Sequence, residues 1–138
     1  MFDRAPILLK MEKMVRDARQ FRVLAWARRV FGVPGRADTA SPQERALRFI
    51  EEAIELAQAI GLQHEDVDRV SRHVFSKPPG EPFQEAGGVG VTLLALCEVL
   101  SISAQDAERA EFERVLTKTP EHFQARQAEK RAAGLEAA

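Results

Sequence analysis

The chain has 138 residues, of which 45% are apolar and 30% charged, and its formal net charge is −1. This suits one domain with its own core, and it argues against a duplex-DNA binder, which carries a basic surplus. No uninterrupted apolar run reaches ~18 residues, and residues 1–32 are charged throughout, so neither a transmembrane helix nor a signal peptide is expected. The single cysteine, Cys97, excludes an intramolecular disulfide and suits a reducing compartment; the cytoplasm is the expected location.

Strand patterns are missing and helical spacing recurs. A first helix is predicted from about Ile7 to Phe31, with an apolar stripe through Leu8, Met11, Met14 and Val15. Gly32-Val33-Pro34-Gly35 stops it, and residues 33–41 read as a polar loop. Ser41-Pro42-Gln43-Glu44 is a capping box with proline at the first helical position. The second helix then runs to about Ile60 and ends at Gly61. It carries two apolar stripes, Leu47-Ile50-Ile54-Ala57 and Phe49-Ala53-Leu56-Ile60, which implies packing on more than one side.

His64 to about Ser76 reads as a third helix with Val67, Val70, Val74 and Phe75 facing inward. Lys77-Pro78-Pro79-Gly80-Glu81-Pro82 breaks it. The fourth helix, from about Pro82 to Leu100, is almost wholly apolar in its second half, which predicts a central place in a bundle and a buried, inert Cys97. Ser103-Ala104-Gln105-Asp106 caps a fifth helix to about Lys118. Thr119-Pro120 starts a sixth, to about Ala133. The expected fold is all-α in a single domain spanning 1–138. It has a four-helix bundle core and accessory N- and C-terminal helices: about 1–32 for the N-terminal helix, 42–132 for core and C-terminal helices.

The chemistry concentrates in Arg48-Phe49-Ile50-Glu51-Glu52-Ala53-Ile54-Glu55. On a helix Glu51 and Glu55 are i,i+4 neighbours and Glu52 and Glu55 are i,i+3 neighbours, so the three carboxylates lie toward one side and repel each other. A hard divalent cation is one source of counter-charge, since Mg²⁺ takes oxygen ligands. Ordinary ion pairs with Arg45 and Arg48 are another. Glu85 opens the fourth helix and is followed by Gly87, Gly88 and Gly90. Each of these glycines costs a helix about 1 kcal/mol relative to alanine. Close approach of another backbone or of a ligand offsets such a cost. The glycine run is no P-loop, because it lacks the Gly-Lys-Ser/Thr ending and a preceding strand.

Glu51-Glu52-x-x-Glu55, then Glu85-x-x-Gly88-Val89 leading into Leu93-Leu94-Ala95-Leu96 and the turn Ser101-Ile102-Ser103, resembles the MazG-like, all-α nucleoside triphosphate pyrophosphohydrolases. That family carries EExxE on one helix and ExxD on the next, followed by an apolar run and a Gly-Ile-Asp-like turn. Trp26 is similar to a tryptophan often found on the family's first helix. The resemblance covers roughly residues 20–132.

It implies Mg²⁺, with Mn²⁺ as a substitute, held by Glu51, Glu52, Glu55 and Glu85. It implies Glu52 as the residue that positions water, and cleavage of a nucleoside triphosphate to monophosphate and pyrophosphate. Lys118, Arg126, Lys130 and Arg131 near the C-terminal helix, with Arg48 beside the cluster, are the implied phosphate-binding cations. Gly88 stands where the family has aspartate, which removes one carboxylate. A catalytically weak nucleotide-binding or regulatory protein and a structural helical module remain as alternatives. His64, His73 and His122 have no metal-ligand spacing and read as structural or exposed.

The apolar stripes of the second helix and the apolar fourth helix exceed what one small bundle should bury. A homo-oligomer, most simply a homodimer, is therefore expected, as the resemblance also implies. Neither a membrane nor a nucleic acid polymer is an expected partner.

Overall fold

The computed structural model describes residues 4–31 and 41–136. These form six helices and no strand: α1 (Ala5–Phe31), α2 (Pro42–Ala59), α3 (His64–Phe75), α4 (Pro82–Val99), α5 (Ala104–Leu116) and α6 (Pro120–Ala132). The fold is all-α, as the spacing predicts. The predicted stop at Gly32–Gly35 and all of the predicted loop except Ser41 lie outside the described residues.

Local chemistry explains where the helices begin. The Glu44 amide donates to Ser41 Oγ at 3.2 Å, and the Asp106 amide to Ser103 Oγ at 3.2 Å. At the start of α6 the His122 amide donates to Thr119 Oγ1 at 3.3 Å. The Glu81 carboxylate accepts from the Gln84 amide at 3.1 Å and caps α4. In each case a side-chain oxygen satisfies an amide that has no intrahelical partner. Pro82 and Pro120 follow their caps directly, where a missing N–H costs nothing.

Three helix ends share one geometry, α6 among them, where the Leu135 amide donates to Lys130 O and the Gly134 amide to Arg131 O, both at 2.9 Å, and Gly134 has φ of +71°. At the end of α2 the Leu62 amide donates to Ala57 O at 3.0 Å, the Gly61 amide donates to Gln58 O at 3.0 Å, and Gly61 has φ of +98°. At the end of α4 the Ile102 amide donates to Cys97 O at 2.9 Å and the Ser101 amide to Glu98 O at 3.1 Å. There the left-handed position, φ of +56°, belongs to Ser101. A side chain in this region is strained, and glycine relieves the strain. Ser101→Gly is therefore expected to stabilise the protein by about 0.5–1 kcal/mol after the greater freedom of the unfolded glycine is deducted. Thermal unfolding reads this as a rise of roughly 2–6 °C; a fall would mean that the turn is held by something other than this geometry.

By contact, the chain divides into two compact units, residues 1–47 with 116–138, and residues 48–115. In the first, α1 packs on α6, the most extensive helix–helix contact among the described residues. Ala27 and Val30 are buried there with Phe123. Phe123 meets Trp26 edge-on with centroids 5.2 Å apart, and Phe31 at 5.8 Å. The Arg45 guanidinium lies 5.8 Å from the centroid of the Phe31 ring. In the second unit Cys97 is buried, as its apolar setting predicts.

Much of the apolar patterning is uncovered. Val70, Val74 and Phe75 of α3, expected to face inward, are exposed. So are Leu8, Met11, Met14 and Val15 of α1, and Phe49, Ile50, Ile54 and Ile60 of α2. Helix α4, expected at the centre of a bundle, buries Cys97 alone. Helical periodicity identifies which side of a helix is apolar, but not which surface covers it. No single described helix is long and apolar enough to cross a membrane.

Candidate metal and nucleotide site

The carboxylate run sits on an unbroken stretch of α2, inside the unit that also contains α4. Arg48 Nη1 donates to Glu51 Oε2 at 2.8 Å, one helical turn apart, with both side chains half-buried. This charge-assisted bond is stronger than an exposed pair and orients Glu51 along the helix. Glu52 and Glu55 are exposed.

Arg114 is a further cation, on α5, in the same unit as the carboxylate run. Its guanidinium grips Glu111 with two hydrogen bonds, Nε to Oε2 at 2.8 Å and Nη2 to Oε1 at 2.6 Å. Hydrogen bonding to Glu111 and the Glu111 charge raise the Arg114 pKa above its ordinary value; desolvation opposes the rise, and the charge of Glu52 adds to it. The Glu111–Arg114 spacing is legible as a helical pair. The added influence of the Glu52 charge crosses from one helix to another and has no local signal.

Glu85 lies in the first turn of α4. Its side chain turns back over the proline-rich linker: a Cβ built on Gly80 would lie 2.9 Å from Glu85 Cδ and 3.2 Å from its Cγ. A side chain at position 80 would need the Glu85 carboxylate to move aside, a small cost for an exposed, flexible side chain. By contrast, a Cβ at Gly87, Gly88 or Gly90 would meet nothing within 4 Å. Packing inside the chain does not account for these three glycines.

Among the described residues no three His, Cys, Asp or Glu side chains converge closely enough to hold a metal ion. The donor set nonetheless suits a hard cation, because Glu51, Glu52, Glu55 and Glu85 supply only carboxylate oxygens. Lys118, Arg126 and Lys130 belong to the first unit, at the α5–α6 turn and on α6; Lys118 and Arg126 are exposed and Lys130 is half-buried. Arg131 Nε donates to Glu136 Oε1 at 2.5 Å. His122 packs edge-on against Phe123 at 5.2 Å, a structural role. Compared with known proteins, the chain matches no family model, no curated protein and no solved structure.

Proposed function

We propose that the chain is a MazG-like nucleoside triphosphate pyrophosphohydrolase, converting a (d)NTP to the (d)NMP and pyrophosphate. The observation that carries this reading is the Glu51-Glu52-x-x-Glu55 run on α2 with Glu85 on the first turn of α4, in one compact unit. The end of α4 adds support. The family's glycine-containing turn falls where Ser101 holds a left-handed conformation, and Ser103 takes the capping place of the aspartate.

Mg²⁺, or Mn²⁺ in its place, would be held by Glu51, Glu52, Glu55 and Glu85 and would neutralise charge on the triphosphate. The chain's own residues do the rest. Glu52 orients the attacking water and accepts its proton at a carboxylate oxygen. Arg48 holds Glu51 in place and adds positive charge beside the cluster. Gly88 in place of aspartate favours a second reading, a nucleotide-binding protein with little or no turnover.

Cation binding separates both of these from a purely structural module. Adding millimolar Mg²⁺ is expected to raise the melting temperature, because a ligand that binds only the folded state stabilises it by about 2.7 kcal/mol at a hundred times its Kd. Triple replacement of Glu51, Glu52 and Glu55 by Gln should abolish the rise. An identical rise in that variant would place the ion elsewhere, and no rise in the native chain would leave the carboxylates as a charged face.

A further inference from the structure

Helix α1 carries two apolar faces, and they point in opposite directions. Its second half packs on α6, burying Ala27 and Val30 with Leu24 and Phe31 half-buried. In the first half Ile7, Met11, Met14, Ala18 and Phe21 recur at alternating four- and three-residue spacings and line another face, with Leu8 and Val15 beside them. Ala18 on this face and Ala27 on the packed one are nine residues apart. That is about two and a half turns, which puts them on opposite sides of the helix. The first face therefore does not extend the α1–α6 core, and it is uncovered: Met11 is 58% exposed, Met14 62% and Phe21 76%.

The same stretch is strongly basic. Residues 4–22 hold six basic and two acidic side chains, a charge of +4 in a chain whose net charge is −1. Lys10 and Arg19 fall at the two borders of the apolar face, and Arg4 and Arg22 at its ends. Lys13 and Arg16 lie behind it, Lys13 paired with Asp17. Between residues 7 and 21 only Leu9 is an apolar residue outside the face.

We infer that the first half of α1 lies on an anionic lipid surface, its apolar face among the acyl chains and its lysines and arginines on the phosphates. Burial of apolar side chains and attraction to a negatively charged surface add in this arrangement. Long basic side chains at the border reach the headgroups while their stems stay among apolar groups. A helix lying on a surface needs no spanning run, and no single described helix supplies one. A nucleic acid would use the charge and leave the apolar face wet. A second copy of the chain would cover the face but bring two +4 stretches together. The surface is independent of the pyrophosphohydrolase reading, because no residue of α1 belongs to the proposed site.

Co-sedimentation of the full chain with lipid vesicles tests the inference. The native chain should pellet with phosphatidylcholine vesicles that contain phosphatidylserine, and the bound fraction should fall as salt is raised. On phosphatidylcholine alone, binding should drop by about tenfold or more, because each basic residue near the surface adds to the attraction. Met14→Asp, in the middle of the apolar face, should lower binding to the anionic vesicles by about tenfold or more with helical circular dichroism unchanged, since Met14 is exposed. Joint replacement of Met11 and Met14 by Gln should cause a similar loss with no change of charge. A native chain that fails to pellet with the anionic vesicles, as it would if a second copy covered the face, would overturn the inference. So would equal binding to both kinds of vesicle. Native-like binding by the double Gln variant would overturn it as well, because charge alone would then hold the chain, as on a nucleic acid.

Discussion

Glu52→Gln is expected to lower the rate of pyrophosphate release by roughly 100-fold or more while leaving the melting temperature nearly unchanged. The substitution keeps the shape of the side chain and removes its basicity, so a residue that accepts a proton from water loses that capacity; general-base contributions run at about 10²–10⁴. Glu52 is exposed, so replacing it by an amide of the same shape costs the fold little. Glu55→Gln should act differently. A carboxylate that only helps to hold the ion should weaken activity in a way that added Mg²⁺ restores. If Glu52→Gln retains activity within about threefold of the native chain, well below the contribution expected of a general base, the assignment of the water to Glu52 is wrong.

The largest effect on stability is expected at Phe123. It is one of four buried residues among those described, at 9% exposure, and its ring meets Trp26, Phe31 and His122 edge-on. Truncation to alanine removes about 3–5 kcal/mol through lost transfer energy and the cavity left behind. That is a large share of the 5–15 kcal/mol that holds an ordinary domain together. Since α1 and α6 meet at this cluster, Phe123→Ala should release them from each other. Trp26 is the only tryptophan, so its fluorescence reports on this cluster alone. A red shift of its emission at a temperature where the native chain is unchanged is the expected readout. Unaltered emission and unaltered melting would mean that the cluster does not hold α1 to α6.

The helices were legible because their signals are local. Ser41 and Ser103 read as caps from the residue types around them, and each accepts the expected amide. Gly61 ends α2 as a glycine should, and the helix ends fall within one or two residues of the apolar periodicity. The burial of Cys97 followed from the apolar run around it. The side of α3 carrying Val70 and Val74 was legible too, but its exposure was not, since that depends on a surface the sequence does not name.

The candidate site divides in the same way. That Glu51, Glu52 and Glu55 lie within one helical turn follows from spacing alone. The spacing points to Arg45 and Arg48 as ion-pair partners one turn before Glu52; the bond that forms joins Arg48 to Glu51, since i,i+3 and i,i+4 partners are equally legible in a helix and spacing does not choose between them. The response of Arg114 to Glu52, and the return of Glu85 over Gly80, depend on how separate elements meet and on the path of a proline-rich linker. No residue pattern within α2 or α4 encodes either. The three glycines of α4 looked like a packing device, and within one chain they face open space.

The most direct test of the central proposal is product analysis. The purified chain is incubated with each canonical ATP, GTP, CTP, UTP and deoxynucleoside counterpart in the presence of Mg²⁺ or Mn²⁺, and the products are separated by ion exchange. The predicted result is release of nucleoside monophosphate and pyrophosphate in equal amounts from at least one substrate, lost in the Glu52→Gln variant. Release of orthophosphate and nucleoside diphosphate, or no hydrolysis of any substrate with either ion, would contradict it.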